Sequence, residues 1–173
     1  MLNNGLDESL GFLLGVAYRK VAQLFQHHLK DHNMTPEQWA VLYRISEEDG
    51  MIQREIGRRA EKDKPTTTRI LASLEEKGLI RKVGGTEDRR SVRVYITPEG
   101  RTKVQQIEPL ERAAMEEARA GFSDEEYKLL MGLLGRLIRN SGPDLGPGLS
   151  PDLSPDKVQK QDEFKQDRSV EHQ

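Results

Sequence analysis

Two clusters in this chain carry side chains suited to contacting a phosphate polymer and its bases. Lys64-Pro65-Thr66-Thr67-Thr68-Arg69 places cations on either side of three threonines. Threonine hydroxyls can contact phosphate or base edges, threonine methyls can meet the thymine methyl, and arginine can fork onto guanine O6 and N7. Gly84-Gly85-Thr86-Glu87-Asp88-Arg89-Arg90-Ser91 sets two adjacent arginines in a glycine-led turn. An arginine at such a tip can enter a narrow minor groove, where the negative potential is enhanced. Phosphate would repel Asp88, so its expected role is to accept hydrogen bonds from Arg90 or the loop backbone and hold the arginine in place.

Other chemistry is poorly provided for. Cysteine is absent, which excludes disulfides, thiolate nucleophiles, Cys-ligated zinc and thiol redox sensing. His28 and His32 have the spacing at which two imidazoles share a helix face and could take a metal. The intervening Leu29-Lys30-Asp31 lacks the glutamate of the zinc-protease pattern, and histidine is favoured near a helix end in any case. No glycine-rich phosphate loop, Ser/His/Asp arrangement or clustered carboxylate site is present, so neither a catalytic centre, a metal nor a cofactor is expected. Tyr18, Phe25, Trp39 and Tyr43 gather in one region of the sequence, where they could line a pocket for a small molecule or serve as ordinary core.

The net charge of −2 conceals a segregation. Residues 51–103 hold 14 Lys/Arg against 8 Asp/Glu, a local net of +6, while the segments on either side are acidic. A local basic block is what attracts phosphate. With 35% hydrophobic and 32% charged residues, the chain is lean for a self-sufficient globule, and long helices that finish their burial against a second copy are expected. The apolar run from Leu10 to Ala17 is too short for a bilayer and follows no basic segment, so a cytoplasmic protein without membrane contact is expected.

The elements that must position these clusters can be read from spacing. Leu10, Leu13, Leu14, Ala17, Val21, Leu24, Phe25 and Leu29 make one apolar stripe on a long helix from about Asp7 to His32. Thr35-Pro36-Glu37-Gln38 opens a second helix with a capping box and ends near Asp49-Gly50. A short third helix is expected over Ile52 to Ala60, and a fourth from Asp63 to Lys77, stopped by Gly78. Leu79 to Val83 and Val92 to Ile96 read as two strands of a hairpin with the basic turn at its tip. Thr97-Pro98-Glu99 caps a helix to about Ala120, and Ser123-Asp124-Glu125-Glu126 caps a last one to about Arg139. The last helix is rich in leucine (Leu129, Leu130, Leu133, Leu134, Leu137, with Ile138), which suggests packing against a partner subunit. From Ser141 a Pro-Asp-Leu repeat and a charged, Gln-rich end predict a disordered tail over 141–173.

Helix, turn, helix, strand, basic loop, strand is the order of a winged helix-turn-helix, whose second helix enters the major groove by its N-terminal residues. In the fourth helix Thr67 falls on the inward side with Ile70 and Leu74. That leaves Lys64, Pro65, Thr66, Thr68 and Arg69 outward at the leading end.

With the order in place, the run from Gln53 to Gly100 resembles the MarR family of bacterial transcriptional regulators. The matching pieces are LEEKGLIRK, Leu74 to Lys82, and DRRSVRVYITPEG, Asp88 to Gly100. The second contains the Asp-x-Arg wing followed by a strand and Thr-x-x-Gly, and the similarity covers roughly residues 8–139. The resemblance implies a mainly α fold with a small β-hairpin wing and an intertwined helical homodimer that reads a pseudo-palindromic operator in double-stranded DNA. It also implies a small-molecule pocket between the dimer helices and the DNA-binding lobe. The implied domains are an N-terminal dimerisation helix at 1–35, the winged helix-turn-helix at 36–97, C-terminal dimerisation helices at 98–140, and the tail.

The candidate DNA contacts are Gln53, Lys64, Pro65, Thr66, Thr68, Arg69, Asp88, Arg89 and Arg90, and the candidate effector contacts are Tyr18, Phe25, Trp39 and Tyr43. The function expected is that of a repressor released by an aromatic or amphipathic small molecule. The alternatives are a metal-responsive regulator using His28 and His32, and a winged helix that binds protein instead of DNA. Where the family carries apolar residues and glycine between the motif's two helices, this chain has Arg59-Ala60-Glu61-Lys62-Asp63, which predicts a looser or more polar turn.

Overall fold

The computed structural model describes residues 5–84 and 92–141. The wing tip with Asp88, Arg89 and Arg90, and the chain beyond 141, lie outside the described residues. After a 3-10 turn at Leu6–Glu8, helix α1 runs over Leu10–His28, trimmed at both ends relative to the expected span of about Asp7 to His32. Leu29 and Met34 are both in the core. On a continuing helix, residues five apart would point about 140° apart. The chain instead leaves the helix at Leu29, turns through Asn33 at φ 50°, and brings both side chains inward.

Helix α2, Pro36–Glu47, opens on the capping box expected from sequence: the Thr35 hydroxyl accepts from the Gln38 amide, and the Gln38 side chain accepts from the Thr35 amide. Then comes a strand that the sequence did not announce, β1 at Met51–Ile52. Two residues carry no alternation, so the strand exists only through its pairing. Met51 lies opposite Val94, the Gly50 amide donates to the Val94 carbonyl, and Arg93 donates to the Gly50 carbonyl at 2.8 Å. Helices α3 (Gln53–Arg59) and α4 (Lys64–Glu76) follow, then β2 (Ile80–Gly84) and β3 (Val92–Ile96). The sheet is antiparallel with order β1-β3-β2, and Ile80 pairs with Ile96. Gly78, at φ 70°, turns the chain from α4 into β2.

Helix α5 spans Pro98–Ala118. Its Ile107 and Ala114 join Phe25, Trp39, Leu42, Ile45, Ile56, Leu71, Leu74 and Val94 in one buried cluster. The first packed unit ends at Ala120. In the second, α6 covers Asp124–Ser141 behind a reciprocal Ser123–Glu126 capping box. Its Leu129, Leu130, Leu133 and Ile138 are exposed. Among the described residues no helix is long and apolar enough to cross a membrane.

Candidate nucleic-acid interface

The three threonines of α4 have three different surroundings. Asp63 caps the helix, its carboxylate accepting from the Thr66 amide at 2.7 Å, and this hydrogen bond holds the Asp63 carboxyl below its ordinary range. Thr66 is half-buried. Thr67 is 1% exposed, and its hydroxyl donates to the Asp63 carbonyl at 2.7 Å, so it is an internal anchor with no access to a ligand. Thr68 is exposed. Its hydroxyl donates to the Lys64 carbonyl at 2.8 Å and accepts from the Gln53 side-chain amide at 2.5 Å. With Ile70, Leu71 and Leu74 buried, Lys64, Pro65, Thr68, Arg69 and Ala72 form the outward face. The inward register expected for Thr67, Ile70 and Leu74 is the one observed.

The turn between α3 and α4 is tighter than its composition suggests. Backbone bonds run from the Ala60 amide to Ile56 and from the Lys62 amide to Gly57, and Glu61 takes a left-handed φ of 51°. The charged residues are bound nearby: Arg59 pairs with Glu48 at 2.6 Å and with Glu55 at 2.8 Å, and Arg58 pairs with Glu55. The two guanidiniums hold the Glu55 carboxyl down at about 2. The backbone bonds close the turn, and the charges at the end of α3 are neutralised within that helix and by Glu48. Closure also needs glycine at 57, where a Cβ would stand 2.7 Å from the Thr67 hydroxyl oxygen and 3.1 Å from the Lys62 carbonyl.

The basic block divides in consequence. Arg58 and Arg59 are committed to carboxylates. Arg54, Lys62, Lys64 and Arg69 take part in no ion pair among the described residues. Sequence reasoning passed over Arg54, Lys62 and Ala72. Helical phase from Thr68 would have found Ala72, but the placement of Arg54 depends on the angle between two helices. Arg54, Lys62 and Lys64 line an open groove of about 510 Å³ with Ile52, Gln53 and Val92.

The base of the wing is anchored to the turn after α2 and to α4. Asp49 accepts from the Ile96 amide at 2.9 Å and pairs with Arg101, and Glu75 of α4 pairs with Lys82 of β2 at 2.7 Å. The Thr-x-x-Gly run has a physical reason here. The Thr97 hydroxyl accepts from the Gly100 amide and donates to the Gly78 carbonyl, and a Cβ at Gly100 would meet the Leu79 carbonyl oxygen at 2.1 Å.

The candidate effector residues differ in burial. Phe25 and Trp39 are core, and Tyr43 packs on Trp39 with ring centroids 5.3 Å apart. Tyr18 is exposed and donates to Glu37 at 3.5 Å. Burial first, and neighbouring carboxylates second, push both tyrosine hydroxyls above their ordinary pKa. The histidines separate too: His28 meets Glu117 at 3.2 Å, while His32 lies past the end of α1. No group of three potential metal ligands comes together among the described residues.

Comparisons with known proteins agree with this geometry. The model of the MarR family matches residues 34–92. The transcriptional regulator SarZ of Staphylococcus haemolyticus, of the helix-turn-helix type, is 29% identical over 138 residues, 79% of this chain and 91% of that protein. The crystal structure of a probable transcriptional regulator from Pseudomonas aeruginosa is 33% identical with a TM-score of 0.73, covering 78% of this chain and 100% of that one. The transcriptional repressor CouR, solved on a 23-mer DNA duplex, is 26% identical with a TM-score of 0.72, covering 78% and 95%. A winged helix-turn-helix with an outward basic α4, matched in sequence and in fold, places this chain in the MarR family of DNA-binding transcriptional regulators.

Proposed function

We propose that the protein is a homodimeric repressor that reads a pseudo-palindromic operator and is released by a small aromatic or amphipathic molecule. The observation that carries the DNA-reading part is the outward face of α4. Lys64, Pro65, Thr68 and Arg69 are exposed at its leading end, while Thr67 and Ile70 anchor the same turn in the core. Gln53 and Thr66 flank this face, and Asp88, Arg89 and Arg90 belong to the wing that would track the minor groove.

Dimerisation is assigned to 1–35 and 98–140. Leu10 and Leu13 on α1 and Leu129, Leu130, Leu133 and Ile138 on α6 are apolar and exposed, the kind of surface a partner covers. Two α4 helices held about 34–36 Å apart would then enter successive major grooves. An effector that favours a dimer with another lobe spacing would draw the population away from DNA. Tyr18 and the rim of Tyr43 are its proposed contacts, with Phe25 and Trp39 behind them.

The test is binding of the purified protein to its own upstream DNA and to a random duplex across a salt series. Tight, specific binding with a log–log salt slope of several units is expected. Weak binding that does not distinguish the duplexes, at that site and in a genome-wide selection, would overturn the reading in favour of a protein-binding winged helix.

A further inference from the structure

We propose that Thr68 is a specificity determinant that reads a thymine by its methyl group and takes no part in recognition through its hydroxyl hydrogen. The proposal rests on the reading of α4 as the major-groove helix.

Thr68 stands at the centre of the exposed face, one turn after Lys64, one turn before Ala72 and beside Arg69. A threonine hydroxyl has one hydrogen to donate. In Thr68 that hydrogen is given to the Lys64 carbonyl at 2.8 Å, inside the helix's own first turn. The oxygen is held from the other side by the Gln53 amide at 2.5 Å. These two bonds tie Oγ1 between α3 and α4 and fix the rotamer. Of the two heavy atoms on Cβ, Cγ2 is the one with no internal hydrogen bond, while Oγ1 keeps a single lone pair.

Threonine is β-branched and stiff at χ1, so the methyl is presented in one orientation at little further entropic cost. Its partner in the major groove is the C5-methyl of thymine, the one methyl group that the four bases present there. Ala72 continues an apolar strip along the same face, whereas Arg69 supplies the polar readout next to it. A threonine-rich leading turn thus separates into three roles. Thr66 closes the cap, Thr67 anchors the helix, and Thr68 reads a methyl.

The experiment starts from duplexes selected by the wild-type protein from a randomised pool, in which each half-site thymine is replaced in turn by deoxyuridine, which lacks only that methyl. The wild type is expected to lose about fourfold in affinity at one thymine per half-site, the worth of one buried methyl. Thr68→Val, which keeps the methyl and removes the hydroxyl, is expected to retain the discrimination. Thr68→Ser, which keeps the hydroxyl and removes the methyl, is expected to bind thymine and deoxyuridine alike. Retention of the discrimination in Thr68→Ser, its loss in Thr68→Val, or no deoxyuridine effect with the wild type overturns the assignment. Arg69→Ala separates the two failures. If it also leaves specific binding unchanged, α4 is not the recognition helix. If it weakens binding while Thr68→Ser still discriminates, only the role of Thr68 falls.

Discussion

Gly57 and Thr67 meet where α3 crosses α4, at a separation that admits no side chain on the glycine: a Cβ there would lie 2.7 Å from the Thr67 Oγ1. That oxygen is buried and bonded to Asp63, so it cannot swing aside cheaply. Gly57→Ala is therefore expected to destabilise the fold by about 1–3 kcal/mol, the range for overpacking a dense site. Urea unfolding of Gly57→Ala, Thr67→Ala and the double variant checks it. Removing Oγ1 should relieve part of the glycine substitution's cost, so strictly additive losses would show that the two residues do not clash.

Gly100 is a harsher case, because the obstacle is backbone. Its Cβ would stand 2.1 Å from the Leu79 carbonyl oxygen and 2.7 Å from the Ile96 side chain. Gly100→Ala is expected to cost at least as much as Gly57→Ala, at or above about 3 kcal/mol. The measurement is the thermal midpoint of the two variants side by side. A midpoint for Gly100→Ala above that of Gly57→Ala would contradict the packing described for the start of α5.

Glu55 links stability to pH. Hydrogen bonds from Arg58 and Arg59 lower its carboxyl from 4.5 to about 2. A depressed carboxyl binds fewer protons folded than unfolded, so its contribution is complete above 4.5 and is lost as pH falls towards about 2. Thermal midpoints of the wild type and Glu55→Gln are expected to differ at pH 6 and to converge over that acid window. Glu55, Arg58 and Arg59 are half-buried, so water still reaches the pairs and screening keeps the difference small. A gap that widens on acidification would reverse the sign and reject the assignment.

The two arginine-bearing surfaces should fail differently. Arg69→Ala is expected to cost about 1–3 kcal/mol on a specific duplex and to relax the preference at one position of each half-site. Arg90→Ala, at the wing outside the described residues, is expected to weaken binding across specific and random duplexes alike and to lower the salt slope. Titrations of both variants against selected and random DNA decide this. Equal losses on both duplexes for both variants would remove the division of labour.

Much of this was legible in the chain because the signals are local. The Thr35/Gln38 box, the Asp63 and Thr97 caps, Gly78 after α4 and the alternation of Val92 to Ile96 are each set by residues within a few positions of one another. The side of α4 that holds Thr67 followed from helical phase alone. The chain's basic middle and its lack of cysteine also settled which chemistries to consider.

What only the tertiary structure decided concerns residues far apart in sequence. Strand β1 has no signal of its own and exists because Val94 is there to pair with. Helix α1 stops at His28 because Leu29 and Met34 must both reach one core. The turn between α3 and α4 is tight because Gly57 lets Thr67 approach while the Gly57 carbonyl accepts from the Lys62 amide, a contact between two helices that spacing could not disclose. Phe25 and Trp39 went to the core while Tyr18 stayed outside, since an aromatic's neighbours are chosen by packing and not by its place in the chain. Among the three threonines, helical phase set Thr67 apart, but only the packing of α3 on α4 brought the Gln53 amide to the Thr68 hydroxyl.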